Sequence, residues 1–263
     1  MGDTTLISAS HIKKSFRIDR RNRVAAVNDV SLDIMKGETL ALVGESGCGK
    51  STLAKLMMRM IKADEGSIFF EGQEISGLSE KAILPYRRKM QMVFQDPASS
   101  LDPRMKVRDI IAEPLDAWKA YKTRKERDER ISELLDMAEL KEESLDLYPH
   151  QFSGGQKQRI GIARAIAVNP ALLVCDESVS ALDVCVQAQI LNLLKKLKKQ
   201  LGLTCLFISH DLSVVSFIAD RVGVMRNGSI LELAPADRIY SSPEHEYTKY
   251  LLASIPRIGQ AEV

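Results

Sequence analysis

The apolar residues of this chain fall into two patterns. Some come in short unbroken runs: Leu40-Ala41-Leu42-Val43, Met90-Gln91-Met92-Val93-Phe94, Leu172-Leu173-Val174-Cys175 and Thr204-Cys205-Leu206-Phe207-Ile208-Ser209. Runs of this kind read as strands buried on both faces of a sheet. Others recur every three or four positions and predict helices over residues 52–60, 108–118, 124–139 and the stretch that follows Asp183. In the second-last of these, Ile131, Leu134, Leu135 and Ala138 form the apolar stripe. In the last, Ile190, Leu193, Leu194, Leu197 and Leu201 mark the buried side and Lys195, Lys196, Lys198 and Lys199 the wet one. A charged helix over residues 78–89 is expected to break near Pro85. Leu6-Ile7, residues 24–30 and residues 32–34 read as separate strands, with Met35-Lys36-Gly37-Glu38 as a turn. Residues 67–72 read as a strand ending in a turn. Residues 222–225 and 229–232 flank Arg226-Asn227-Gly228, a hairpin signal. The tail from Pro235 is polar and reads as helical, with Tyr247, Leu251 and Leu252 on one side. Strands alternating with helices predict an α/β fold.

The first buried run leads into Gly44-Glu45-Ser46-Gly47-Cys48-Gly49-Lys50-Ser51-Thr52, which fits the phosphate-loop pattern G-x-x-x-x-G-K-[ST] in its required strand–loop–helix setting. The glycines let the backbone approach phosphate oxygens, and the helix start offers unpaired N–H groups. Lys50 is placed to reach the β- and γ-phosphates and Ser51 to ligate Mg2+.

Three more strand ends carry candidate chemistry. Gln95 follows residues 90–94 and can orient a water or ligate Mg2+, although a plain loop residue would look the same. Asp176 and Glu177 end the run at 172–175. A carboxylate there can hold Mg2+ through water and its neighbour can polarise an attacking water; capping acids are the bland alternative. His210 ends the run at 204–209, on the same predicted sheet edge as Glu177. A second Ser/Gly turn, Phe152-Ser153-Gly154-Gly155-Gln156, opens a helix expected over residues 157–168, with Ser153 as N-cap and a second anion site. Phe16 reads either as a core residue or as a platform for a purine ring.

Composition adds limits. The chain has 263 residues, 45% hydrophobic and 27% charged, enough for one large domain with a substantial core. A net charge of +2 gives no electrostatic argument for nucleic acid. No apolar run reaches the length of a membrane span, and the N-terminal stretch has no signal core. Cys48, Cys175, Cys185 and Cys205 form no metal-type spacing, and Cys175 and Cys205 are expected as small core residues of a reduced, cytosolic protein.

In sum these motifs resemble the ATP-binding subunit of ATP-binding-cassette transporters over essentially the whole chain. Residues 44–51 resemble the Walker A loop, Gln95 the Q-loop glutamine, Phe152 to Gln156 the signature motif, and residues 172–177 Walker B with the catalytic glutamate. Ser180-Ala181-Leu182-Asp183 resembles the D-loop and His210 the switch histidine. Phe16 falls near the family's adenine-stacking aromatic.

The resemblance implies a P-loop ABC cassette: a mixed-sheet ATP-binding core with an antiparallel β subdomain and an inserted helical subdomain. The core would span about residues 1–97 and 166–235, the helical part with the signature about 98–165, and a C-terminal tail about 236–263. It implies ATP and Mg2+ as cofactors, with Ser51, Gln95 and Asp176 at the metal. It also implies a head-to-tail dimer in which ATP at Lys50 of one subunit meets Ser153, Gly154, Gly155 and Gln156 of the other, with Asp183 at the interface.

Residues 94–104 and 240–252 resemble the importers of peptides and nickel, as the shorter of two ATPase subunits. That implies two membrane-spanning permease subunits, a second ATPase, an extracytoplasmic solute-binding protein and a place on the cytoplasmic face of the membrane. Two departures stand out: Ser178 occupies a position where the family usually has Pro, and no Cys follows Cys205, which speaks against a cysteine-rich iron–sulfur extension. A soluble cassette ATPase and a regulatory ATP-binding subunit are the rival readings. The single cassette argues against the first, and the intact Glu177 and His210 against the second.

Overall fold

In a computed structural model of the chain, residues 4–17 and 23–254 are described. The last part of the expected C-terminal tail, 255–263, lies outside the described residues. The strands are β1 (Thr5–Arg17), β2 (Arg23–Met35), β3 (Thr39–Val43), β4 (Glu65–Phe70), β5 (Gln73–Glu74), β6 (Met90–Val93), β7 (Leu172–Asp176), β8 (Thr204–Ile208), β9 (Arg221–Arg226) and β10 (Ser229–Pro235). The helices are α1 (Lys50–Met57), α2 (Glu80–Lys89), α3 (Pro97–Ser100), α4 (Val107–Ala117), α5 (Arg124–Met137), α6 (Gly154–Ile166), α7 (Val184–Leu201), α8 (Leu212–Ile218), α9 (Ala236–Ser241) and α10 (Glu246–Ala253).

The apolar runs form β3, β8, β7 and β6 of a six-stranded sheet in the order β10-β9-β3-β8-β7-β6, with β6 at its edge. Pairing is parallel from β9 to β6, and β10 adds an antiparallel edge. Alternation along each strand assigns the two faces. Ala41, Val43, Leu173, Cys175 and Phe207 join an apolar cluster with α4 to α8. Leu40, Leu42, Leu172, Val174 and Leu206 join a second cluster with α1 and an antiparallel sheet of order β2-β1-β4-β5. Both faces are therefore covered, which is why these runs carry no polar alternation. Burial pushes the Cys175 thiol well above the ordinary range and the Cys205 thiol up to about 11, as expected of core cysteines.

Three expectations need correction. The two runs at 24–30 and 32–34 are one strand, β2, which passes through a bulge. Asp29 (φ 54°) and His11 (φ 52°) take left-handed conformations there, and Asp29 Oδ1 bonds His11 Nδ1 at 2.9 Å. Pro85 does not break its helix: α2 runs through it. Pro85 and Lys81 are both exposed, so the carbonyl that loses its N–H partner faces water. Helix α6 begins at Gly154 rather than at residue 157, because Ser153 caps it.

Candidate functional site

Because β3, β6, β7 and β8 are parallel, their C-terminal ends meet at one edge, as ligand sites of open α/β sheets do. Two backbone bonds hold the ends level: Ser209 N–H donates to Leu42 O (3.1 Å) and Glu177 N–H to Ile208 O (3.0 Å).

After β3 the chain makes the phosphate loop. Gly44 (φ 149°) and Gly49 (φ 108°) are glycines of necessity. A Cβ at Gly44 would lie 2.1 Å from the Met225 carbonyl oxygen, and one at Gly49 would lie 2.1 Å from that of Ala26. Gly228 N–H donates to Cys48 O at 2.9 Å, so the β9–β10 hairpin braces the loop. Asn227 and Gly228 both have positive φ, the conformation the Asn-Gly signal requires. Glu45, Ser46 and Gly47 are exposed, and Ser51 and Thr52 half-buried in the first turn of α1. Lys50 is 4% exposed, and its ammonium donates to Gly44 O (2.8 Å) and Glu45 O (2.9 Å). The loop's own carbonyls thus satisfy the charge.

The strand ends bring five predicted residues together: Ser51, Gln95, Asp176, Glu177 and His210. Ser51 Oγ donates to Asp176 Oδ1 at 2.7 Å. Burial raises the Asp176 carboxyl, and the Ser51 hydroxyl and Lys55 oppose that rise. Glu177 sits next along at φ 44°, a left-handed conformation uncommon for a residue with a side chain. Gln95 Nε2 donates to Glu177 Oε2 at 2.8 Å, and His210 Nδ1 lies 3.6 Å from Glu177 Oε1. The Glu177 carboxylate is bonded by Gln95 on one side and flanked by His210 on the other. Its carbonyl accepts Ser180 N–H (3.1 Å) and Ser180 Oγ (2.9 Å), which shapes the turn toward Asp183. Ser178 is buried in that turn beside the Cys175 thiol, with no hydrogen bond of normal geometry on its hydroxyl.

Phe16 is 43% exposed rather than a core residue. It pairs with Val24 across β1–β2, two positions before Ala26, the residue packed on Gly49. Its partner strand thus also supplies a wall of the phosphate loop, and Lys14 Nζ lies 5.7 Å from the Phe16 ring centroid.

The second Ser/Gly turn is separate. Ser153 Oγ accepts Gln156 N–H (3.3 Å) and Gln156 Oε1 accepts Ser153 N–H (3.0 Å), a reciprocal capping box. Ser153, Gly154 and Gln156 are exposed, and Gly155 is buried against α7, where a Cβ would meet Val186 Cγ1 at 2.4 Å. Asp183 caps α7 through Val186 N–H at 3.0 Å. No hydrogen bond among the described residues joins this turn to the phosphate loop.

Residues that the sequence pattern did not single out shape a groove of about 630 Å³ beside Gln95. Met60, Met90, Met92, Phe94, Trp118 and Arg164 line it. Arg164, largely buried, donates to Ser100 O at 2.7 Å, and burial lowers its pKa. Its only trace in the sequence is an arginine on the otherwise apolar face of α6.

A phosphate loop, an acidic strand end and a separate capped Ser/Gly turn define a nucleotide-hydrolysing cassette, and comparison with known proteins bears this out. The ABC transporter family model matches residues 27–180, more than half of the chain. The chain belongs to that family, as an ATP-binding subunit that hydrolyses ATP. The oligopeptide transport ATP-binding protein OppF of Bacillus subtilis (strain 168) is 55% identical over 252 residues, which are 95% of this chain and 82% of that protein. The dipeptide transport ATP-binding protein DppF of Lactococcus lactis subsp. cremoris (strain MG1363) is 47% identical over 253 residues, 95% of this chain and 81% of that one. A dimeric post-hydrolysis state of the cassette MJ0796 bound to ADP and Pi matches with a TM-score of 0.80 at 31% identity, over 88% of this chain and 98% of the other. CbiO1 of Clostridium perfringens, part of the transporter complex CbiONQ, matches with a TM-score of 0.81 at 26% identity, over 97% of each chain.

Cassettes of this family bind ATP with Mg2+ as cofactor. The residues present fit that ion: Ser51 Oγ, Asp176 and the Gln95 amide offer hard oxygen donors. Among the described residues no group of three or more His, Cys, Asp or Glu side chains forms an all-protein metal cage, and Mg2+ does not need one. No helix among the described residues is long and apolar enough to cross a membrane.

Proposed function

We propose that this chain is the ATP-hydrolysing subunit of a peptide importer, working at the cytoplasmic face of the membrane with two permease subunits, a second cassette ATPase and an extracytoplasmic solute-binding protein. OppF and DppF are ATP-binding proteins of oligopeptide and dipeptide transport, which favours peptide over nickel as cargo. The observation that carries the chemistry is the clasp on Glu177 by Gln95 and His210, next to the Ser51–Asp176 pair.

Each residue has a task that follows from its setting. Lys50 exchanges the Gly44 and Glu45 carbonyls for β- and γ-phosphate oxygens, a gain for a buried ammonium. Ser51 and Gln95 would hold Mg2+, with Asp176 reaching it through water, and the ion would supply neutralisation of phosphate charge. Glu177 orients the attacking water and draws its proton. His210, exposed at the strand end, contacts the γ-phosphate. Phe16 stacks on adenine. Ser153 to Gln156 and Asp183 act on the ATP of the partner cassette, so neither subunit completes a site alone. ATP at about a hundred times its dissociation constant would add roughly 2.7 kcal/mol to the closed dimer.

The groove beside Gln95 supplies the link to transport. Methionines give an adaptable apolar wall, suited to a helix of a permease loop. Gln95 directly follows Phe94 of that wall and bonds Glu177, so docking and hydrolysis are one residue apart.

The test is Glu177→Gln in the assembled transporter. Hydrolysis should fall by about a hundredfold or more, with ATP binding kept; hydrolysis at the wild-type rate overturns the catalytic reading. Purification of the tagged chain in mild detergent tests the partner set. Two multi-span proteins and a second cassette support it; ribosomes or nucleic-acid proteins instead move the chain to the soluble ATPases.

A further inference from the structure

The stretch 240–252 takes no part in the chemistry above, yet it is tied to both loops that face the nucleotide. Its anchor is Glu232 on β10, which accepts backbone N–H bonds from Glu244 (2.9 Å) and His245 (3.0 Å). His245 Nδ1 accepts Tyr247 N–H at 3.0 Å and so caps α10. From this anchor two tyrosines reach in different directions.

Tyr240 Oη donates to the carbonyl of Leu212 at 2.5 Å. Leu212 opens α8, two positions after His210. Burial, with Asp211 nearby, raises the Tyr240 phenol well above its usual range, so it stays a donor at any working pH. Tyr247 is 4% exposed. The Arg226 guanidinium covers its ring, 4.5 Å from the centroid, and Arg226 directly follows Met225, whose carbonyl walls Gly44. The Tyr247 oxygen is buried without a hydrogen bond of normal geometry, and it lies against Glu45 and Cys48 of the phosphate loop.

We propose that residues 240–248 form a clip that sets the phosphate loop and the His210 turn relative to each other, Tyr247 buttressing the loop at Glu45 and Tyr240 positioning His210 through Leu212. The two loops leave the ends of adjacent strands β3 and β8. Ser209 N–H to Leu42 O is the bond that joins their starts, and a piece fixed to both adds a second tie farther out. The inference rests on the reading of Lys50 and His210 as phosphate contacts. The two tyrosines then act at different stages: the phosphate loop binds ATP in the ground state, whereas His210 matters as charge develops on the γ-phosphate.

The experiment is steady-state ATP hydrolysis by the reconstituted transporter with Tyr240→Phe, Tyr247→Leu, Tyr247→Phe and, as a control on the site, His210→Ala. Tyr240→Phe removes one hydrogen bond and keeps the ring. It should lower kcat about three- to tenfold with KM for ATP within about twofold of wild type. Tyr247→Leu should raise KM for ATP about tenfold, and Tyr247→Phe, which keeps the ring under Arg226, should restore most of it. A wild-type kcat in Tyr240→Phe, or equal losses in all three variants tracking a lower folded fraction, overturns the clip. Should Tyr247→Leu fail to assemble, Tyr240→Phe decides alone. Wild-type hydrolysis by His210→Ala sinks the reading of the site itself, a separate outcome.

Discussion

The two Ser/Gly turns of this chain differ in how they are finished. The phosphate loop is completed by distant segments: Met225, Ala26 and Gly228 wall it, and Asp176 takes its serine. The hydrogen bonds of the turn at Ser153 are completed within its own helix, Ser153 and Gln156 satisfying each other, and only Gly155 leans on another element, at Val186 of α7. One is a cradle that exists only in the folded core. The other is a preformed, exposed helix start that offers its N–H groups outward. This is the division of labour expected if ATP is bound by the first turn and sensed by the second on a partner.

Alanine at a glycine of each turn gives the largest contrast. In Gly44→Ala the new Cβ meets a backbone oxygen that cannot yield, at a φ that suits only glycine. ATP binding by the separate subunit should be lost, as read by isothermal titration. In Gly155→Ala the clash is with a valine side chain on α7. The separate subunit should bind ATP within about twofold of wild type, while hydrolysis in the assembled transporter falls more than about tenfold as α6 is pushed off α7. Equal losses of ATP binding in the two variants would break the comparison.

A smaller effect concerns stability at the strand end. Burial holds the Asp176 carboxyl above its ordinary value of 3.8, so the folded chain keeps that proton to higher pH than the unfolded one. This group's contribution is therefore full below the ordinary value and is lost as pH rises through the raised one. In Asp176→Asn the nucleotide-free protein should melt at a higher temperature at pH 7, with a shallower loss of stability on going up from pH 4. Hydrolysis should collapse in the same variant. A lower melting temperature at pH 7 would contradict the burial account. The opposite signs of stability and activity would mark Asp176 as a residue kept for chemistry.

The smallest effect belongs to the capped turn. Ser153→Ala removes a cap worth about 1 kcal/mol, so denaturant midpoints should shift by that much and ATP affinity of the separate subunit should not change. Hydrolysis in the transporter should fall by more than that stability loss explains. A variant hydrolysing at the wild-type rate would leave Ser153 with a capping role alone.

Much of this was written in the chain's local patterns. Strands β3, β7 and β8 are unbroken or nearly unbroken apolar runs because both sheet faces are covered, and such runs need no context to be read. The phosphate loop, the Asn-Gly hairpin and the Ser153 cap are local devices whose residues sit next to each other, so spacing alone points to them. Short-range steric and hydrogen-bond rules determine them before the chain folds.

The tertiary structure decided what depends on partners far away in sequence. Pro85 passes through α2 because its orphaned carbonyl faces water, and β2 stays whole because His11 on another strand meets Asp29. The clasp of Gln95 and His210 on Glu177 exists because parallel pairing levels three strand ends, a fact of register that no single segment carries. Tyr247 reads as part of one side of a polar helical tail and Tyr240 as nothing in particular; only the fold sets them against the phosphate loop and the His210 turn. Local physics names the groups that can do chemistry, while the free energy that holds them within hydrogen-bond reach comes from packing across the sheet.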